Sequence, residues 1–272
     1  MIPAPFEYVR AGSVDEVVAA LTEHGDEAKI LAGGMSLLPL MKLRLATPSV
    51  LVDVGRVGDL SYVNDGGDHL AIGALTRHRD LETNELLGRE CAVLQRVAAE
   101  VGDNQVRHRG TIGGSTAHGD PASDLPAVLV ALDATLVARG PSGERTIEAA
   151  DFFQGFLETA LAPDELLTEI RVPKTTGGSS YQKFNRRAQD WAIVGALAVR
   201  NGTTRVALVN MGSVPLRARG VEEALGEGAS IADAAARAAE GTEPPTDLNA
   251  TPEYREHLAR VLVQRALAEA QA

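Results

Sequence analysis

One cysteine, Cys91, is the whole thiol content of this 272-residue chain. A [2Fe–2S] centre takes about four ligands, usually cysteine, so no such cluster is built by this chain alone. Cys91 sits in the apolar run Cys91-Ala92-Val93-Leu94 and reads as a small core residue. The six histidines are scattered, with no H-x-x-x-H spacing, and no set of His, Ser and carboxylate groups suggests hydrolysis. The residues thus offer no catalytic group and no metal site. Also missing is any uninterrupted apolar stretch of about 18 residues, the minimum for a membrane-spanning helix. The opening residues Met1-Ile2-Pro3-Ala4-Pro5-Phe6-Glu7 lack a basic region followed by an apolar one, so a cytoplasmic location is expected. Positive charge is short too: 26 Lys and Arg against 37 Asp and Glu leave a net charge of −11. That balance excludes a general nucleic-acid binder and offers no anchor for anionic lipid. The dinucleotide fingerprint G-x-G-x-x-G does not occur.

What the chain does have is 44% hydrophobic residues, enough for an ordinary core, and two Gly-Gly segments. The first is Leu31-Ala32-Gly33-Gly34-Met35-Ser36-Leu37-Leu38-Pro39-Leu40-Met41-Lys42. The second runs Thr111-Ile112-Gly113-Gly114-Ser115-Thr116-Ala117-His118-Gly119-Asp120-Pro121-Ala122-Ser123-Asp124-Leu125-Pro126. In each, glycines follow apolar residues and precede a hydroxyl residue, an arrangement that serves either as a plain turn or as a cradle of backbone N–H groups for an anion. Two cradles fit the two ends of one diphosphate.

Along the chain, Ser13 caps a helix predicted to run to Gly25, with Glu16 completing a capping box. Ala28–Ala32, Ser49–Val54 and His69–Ala74 read as strands, and Leu37–Arg44 as a short helix with Pro39 in its first turn. The periodicity of Leu87, Cys91, Leu94, Val97, Ala98 and Val101 predicts one helix over Leu86–Val101, ended by Gly102. Asp103–Arg109 leads into the second glycine segment. Leu125–Leu132 is an apolar helix beginning near Asp124, whose carboxylate suits either an N-cap or an acceptor for a sugar hydroxyl. Ala134–Ala138 and Arg145–Ile147 form a hairpin, Leu166–Val172 a strand, and Lys174–Ser180 a linker. Beyond it, strands are expected at Trp191–Arg200 and Thr204–Met211, and helices at Ile231–Glu240 and Pro252–Ala270. His108 and His118 flank the second segment and read as incidental.

With Pro121, Asp124 and Pro126 spaced as they are, the two segments resemble those of the FAD-binding medium subunits of molybdenum hydroxylases. That family includes aerobic carbon monoxide dehydrogenase and xanthine dehydrogenase. The likeness runs from Pro5-Phe6-Glu7-Tyr8 to Tyr254-Arg255-Glu256-His257-Leu258, and Ser36 through Leu45 looks most like the carbon monoxide dehydrogenase branch. It implies an α+β chain: a two-lobed FAD-binding domain of the vanillyl-alcohol oxidase/PCMH type over residues 1–173, with lobes of about 1–55 and 56–173. A smaller C-terminal α+β domain over 174–272, a three-stranded sheet plus helices, would follow.

The same resemblance implies an extended FAD, its diphosphate between Ala32, Gly33, Gly34, Met35, Ser36 and Leu37 on one side and Thr111, Ile112, Gly113, Gly114 and Ser115 on the other, held largely by backbone amides. Asp124 matches the family's acidic residue after the second segment, Leu166 an apolar contact, and Lys183 a basic residue near the flavin. Asp190-Trp191 resembles a mobile loop beside the isoalloxazine. Read by themselves, Lys183 is equally a solvated strand charge and Trp191 a core residue. Met35 and Ser115 stand where the family often has polar side chains and Asn, which removes hydrogen-bonding capacity. The implied partners are an iron–sulfur small subunit carrying [2Fe–2S] clusters and a large subunit carrying the molybdenum cofactor, in a dimer of heterotrimers, with an external electron acceptor. A flavin-free adaptor and a stand-alone NAD(P)H-dependent flavin oxidoreductase are the competing expectations.

Overall fold

The computed structural model describes residues 2–271. Its first lobe is a three-stranded parallel sheet in the order Glu7–Arg10, Val50–Asp53, Ala28–Leu31. The helix Val14–His24 covers it. Ser13 caps that helix by accepting from the Glu16 N–H, and Val17, Ala20 and Leu21 are buried in the same cluster as Val50 and Val52. The chain then builds a five-stranded antiparallel sheet, ordered Val63–Asp65, His69–Gly73, Leu166–Pro173, Thr135–Gly140, Gly143–Glu148. Its apolar face meets the helix Asp124–Ala131, every residue of which is buried.

A third sheet, also antiparallel, has three long strands, Ser179–Phe184, Val194–Asn201 and Thr203–Val209, and a two-residue fourth, Leu216–Arg217. The expected three-stranded sheet thus gains a short edge strand. Strand pleating sends alternate residues of Val194–Asn201 to opposite sides. Leu197 and Val199 join the core of the five-stranded sheet, whereas Val194, Ala196 and Ala198 pack with the helix Pro252–Glu269. Thr251 caps that helix, as expected.

Several local expectations need correction. Leu86–Val101 is two helices, Glu85–Glu90 and Ala92–Ala99, separated at Cys91 with φ −157°. The Glu90 carbonyl accepts from the Thr175 N–H instead of a helical one, and the apolar spacing hides the break because both pieces face one core. Asn104–Arg109 is helical, capped by Asp103, and the Thr111–Ser115 segment lies in the start of the helix Ile112–His118, not in a loop. The expected linker is short and docked. Ser179 and Ser180 belong to a strand, the Lys174 amine meets Asp65 at 2.7 Å, and a Cβ on Gly177 would fall 1.6 Å from the Arg200 carbonyl oxygen. The strand expected from Trp191 starts at Val194. The helix from Ile231 stops at Ala236, and a helix at Arg219–Gly226 had no counterpart in the sequence reading.

Candidate functional site

A cleft of about 640 Å³ opens between the first two sheets, and both glycine segments line it. Gly34 takes φ +74°, a left-handed conformation that favours glycine, and lets the chain leave the strand Ala28–Leu31 sharply. The backbone N–H groups of Gly33, Gly34, Met35, Ser36 and Leu37 donate to no acceptor among the described residues. Five successive donors without a protein acceptor, on residues that line one cleft, are chemically suited to an anionic oxygen cluster.

The second segment is built differently. Thr111 caps its helix, its Oγ1 accepting from the Gly114 N–H at 3.1 Å. The Ile112 N–H donates to the Thr76 carbonyl, that of Gly113 to Ala74, and that of Ser115 to Thr111. All four amides are thus already engaged within the protein, so the second segment does not present the free backbone N–H groups expected of it at these residues. Here the glycines serve close approach. A Cβ on Gly113 would lie 2.5 Å from the Ala74 Cβ, and one on Gly33 would lie 2.2 Å from the Arg109 carbonyl oxygen. A Cβ on Gly114 would come within 3.8 Å of the Ala32 Cβ, so the two segments face each other at short range.

Asp124 neither caps a helix nor waits free for a ligand. Ser123 occupies the cap position, and Asp124 is the first helical residue. Its two oxygens accept from the Tyr181 hydroxyl and from the Lys183 amine, the latter at 2.9 Å. The sequence gives no sign of this triad, since Asp124 opens a helix more than fifty residues before the strand Ser179–Phe184 that carries both Tyr181 and Lys183. Lys183 is not a solvated strand charge: its side chain is 5% exposed and it also donates to the Glu100 carbonyl. Burial raises the Asp124 carboxyl above the usual carboxylate range, with Lys183 and Tyr181 pulling the other way. Burial and the neighbouring carboxylate push the Tyr181 phenol well up.

Trp191 is not a core residue. It is 56% exposed and lines the cleft with Gln189 and Asp190, while Leu166 is buried and lines it from the other side. Ala32, Met35, Ser36, Leu37, Thr111, Gly113, Gly114, Ser115, Asp124 and Lys183 line it too, whereas Ile112 is fully buried in the core beneath. His118 also lines the cleft, at the end of its helix, and burial lowers its imidazole pKa. His78 belongs to the wall as well and was not singled out in the sequence. Among the described residues no group of three or more His, Cys, Asp or Glu is placed to hold a metal, and no helix is long and apolar enough to cross a membrane. Cys91 is fully buried, and burial pushes its thiol up to about 11.

Residues 4–175 match the family described as the FAD binding domain in molybdopterin dehydrogenase, and residues 179–270 the CO dehydrogenase flavoprotein C-terminal domain. The carbon monoxide dehydrogenase medium chain of Hydrogenophaga pseudoflava is 40% identical over 98% of this chain and 97% of its own. A subunit of another complex, 6-hydroxypseudooxynicotine dehydrogenase complex subunit alpha of Paenarthrobacter nicotinovorans, is 38% identical over 99% and 96%. A solved structure of carbon monoxide dehydrogenase from Hydrogenophaga pseudoflava superposes with a TM-score of 0.96 at 41% identity, covering 100% of this chain and 99% of that one.

Proposed function

The chain belongs to the FAD-binding medium subunits of the molybdenum hydroxylases, and from that premise we propose that it is the electron-transfer subunit of such an enzyme, relaying electrons from a [2Fe–2S] subunit to an external acceptor. The observation that carries this reading is the run of unpaired amides from Gly33 to Leu37 along the cleft. These amides line an open cleft, where an anionic group would take the place of water as their acceptor. Bound there, FAD would supply the redox chemistry that no side chain here provides.

The residues that would hold it divide the labour. Gly33, Gly34, Met35, Ser36 and Leu37 would donate to the diphosphate, and Gly113 and Gly114, lacking side chains, would leave room for it. Thr111 and Ser115 would bound the space from the helix side, and Leu166 would supply an apolar surface. Lys183 would hold a fixed positive charge in the wall, oriented by Asp124 and the Glu100 carbonyl. Trp191, exposed at the edge, would cover the cleft mouth and limit water. Main-chain donation does not depend on the identity of residue 35, so Met35 costs no amide contact; Ser115 is not offset in this way.

We place the FAD-binding part at residues 1–173, in lobes of about 1–55 and 56–173, and the C-terminal part at 174–272. A cytoplasmic dimer of heterotrimers with iron–sulfur and molybdenum subunits completes the proposal. Relatives named for carbon monoxide and for 6-hydroxypseudooxynicotine stand at nearly equal identity, which fits a substrate set by the large subunit. The test is purification of the chain and measurement of flavin absorbance and released FAD. A colourless protein that takes up no added FAD, yet still binds its partners, would establish the flavin-free adaptor instead. Sustained NADH oxidation by the isolated chain would establish the stand-alone reductase.

A further inference from the structure

His78 is 3% exposed and lines the cleft, at the first residue of the helix His78–Glu82. Its backbone is tied to the second glycine segment, since its N–H donates to the Gly110 carbonyl at 3.0 Å. Its ring lies close to the same residue: a Cβ on Gly110 would stand 2.7 Å from the ring Cδ2 and 2.9 Å from Nε2. Gly110 in turn touches the first segment, with its Cα 2.9 Å from where a Gly33 Cβ would be. The imidazole therefore sits beside the junction of the two glycine segments, clamped in position.

Nδ1 of this ring is sealed from solvent and has no hydrogen-bond partner among the described residues. Nε2 is not sealed, and it too has no hydrogen-bond partner among the described residues; the opening that His78 lines is the cleft. Burial, reinforced by the Arg107 charge, pushes the imidazole pKa down to about 4, so near neutral pH the ring carries one proton. Of the two tautomers, one buries an N–H with no acceptor, whereas the other buries only a bare lone pair, the less costly orphan. The proton then belongs on Nε2, the ring nitrogen left accessible beside the cleft.

Building on the FAD reading above, we propose that His78 is a cofactor-positioning residue whose Nε2–H donates into the cleft to an acceptor atom of the bound dinucleotide. Three variants of the purified chain, His78→Leu, His78→Gln and His78→Asn, test this by titration with FAD, ADP and FMN, followed by flavin fluorescence or calorimetry. Leu removes the donor at similar volume, and FAD binding should weaken about three- to tenfold, the range for one hydrogen bond. Gln places an amide N–H near the Nε2 position and should recover wild-type affinity to within about twofold, whereas Asn, mimicking Nδ1, should not. The fragment whose affinity falls alongside FAD identifies the half of the dinucleotide that His78 touches.

A measurement independent of variant folding uses wild-type chain carrying 15N-histidine. The His78 signal should show protonation at Nε2 before FAD is added and a shift of that nitrogen afterwards. Wild-type affinity in His78→Leu, rescue by Asn rather than Gln, or a proton on Nδ1 would each overturn the assignment. Failure of the wild-type chain itself to bind FAD would instead overturn the reading on which it rests.

Discussion

Lys183→Met removes one charge from the pair that joins the third sheet to the helix after the second glycine segment, while keeping the aliphatic stem. Both side chains are almost wholly buried, at 5% and 7% exposure, so the small energies of surface ion pairs do not apply. Removing one partner of a buried pair strands the other charge and costs about 3–5 kcal/mol. With an m-value of roughly 3 kcal/mol per molar urea, that is a fall of about 1–1.7 M in the unfolding midpoint. The pH dependence carries more information. Burial already raises the Asp124 carboxyl, and Lys183 is the first influence opposing that rise. Without it the carboxyl pKa climbs further. A group whose folded pKa lies above its unfolded one contributes stability that is full below the unfolded value and is lost as pH rises through the folded value. The deficit of Lys183→Met relative to wild type should therefore be smallest in mild acid and grow toward pH 8. Adding Asp124→Asn should recover a large part of it, because no stranded charge remains. Urea titrations at several pH values decide the matter. A deficit below about 1 kcal/mol, or one constant from pH 5 to 8, would refute the idea that these are buried, coupled charges.

Gly33→Ala forces a Cβ to within 2.2 Å of the Arg109 carbonyl oxygen, so the two glycine segments must separate; FAD retention through gel filtration should drop about tenfold or more, as for a displaced binding wall. Retention equal to wild type would show that the contact is slack. The sole tryptophan, Trp191, lines the cleft, so its emission should be quenched as FAD is added to the cofactor-free chain. Unchanged emission at saturating FAD would remove Trp191 from the cofactor's surroundings. Cys91, fully buried with its thiol raised to about 11, should resist thiol reagents at pH 8 in the folded chain and react promptly in urea; rapid labelling without denaturant would contradict that burial.

Much of the fold was legible because its signals are local. Ser13 and Thr251 mark helix starts through bonds to residues three positions on. Gly34 marks a turn through its own φ, and the alternation along Val194–Asn201 needs only a strand's pleat. The composition likewise settled that one cysteine cannot hold an iron–sulfur cluster. Family likeness added the expected site, and the paired glycine segments do meet across one cleft.

What the sequence could not supply is the destination of each hydrogen bond. The glycines of both segments look alike, yet Ile112 and Gly113 spend their amides on Thr76 and Ala74 while Gly33 through Leu37 spend theirs on nothing in the protein. Asp124 reads as either a cap or a ligand acceptor until Tyr181 and Lys183, 57 and 59 positions away, close on it. His78 looks unremarkable until Gly110 pins its ring and Nδ1 is left without a partner. Backbone propensity and apolar spacing act over a few residues, so one chain read alone reveals them. Whether a polar group is met, stranded or open to a ligand depends on atoms brought close only when distant segments pack, and that the tertiary structure alone decided.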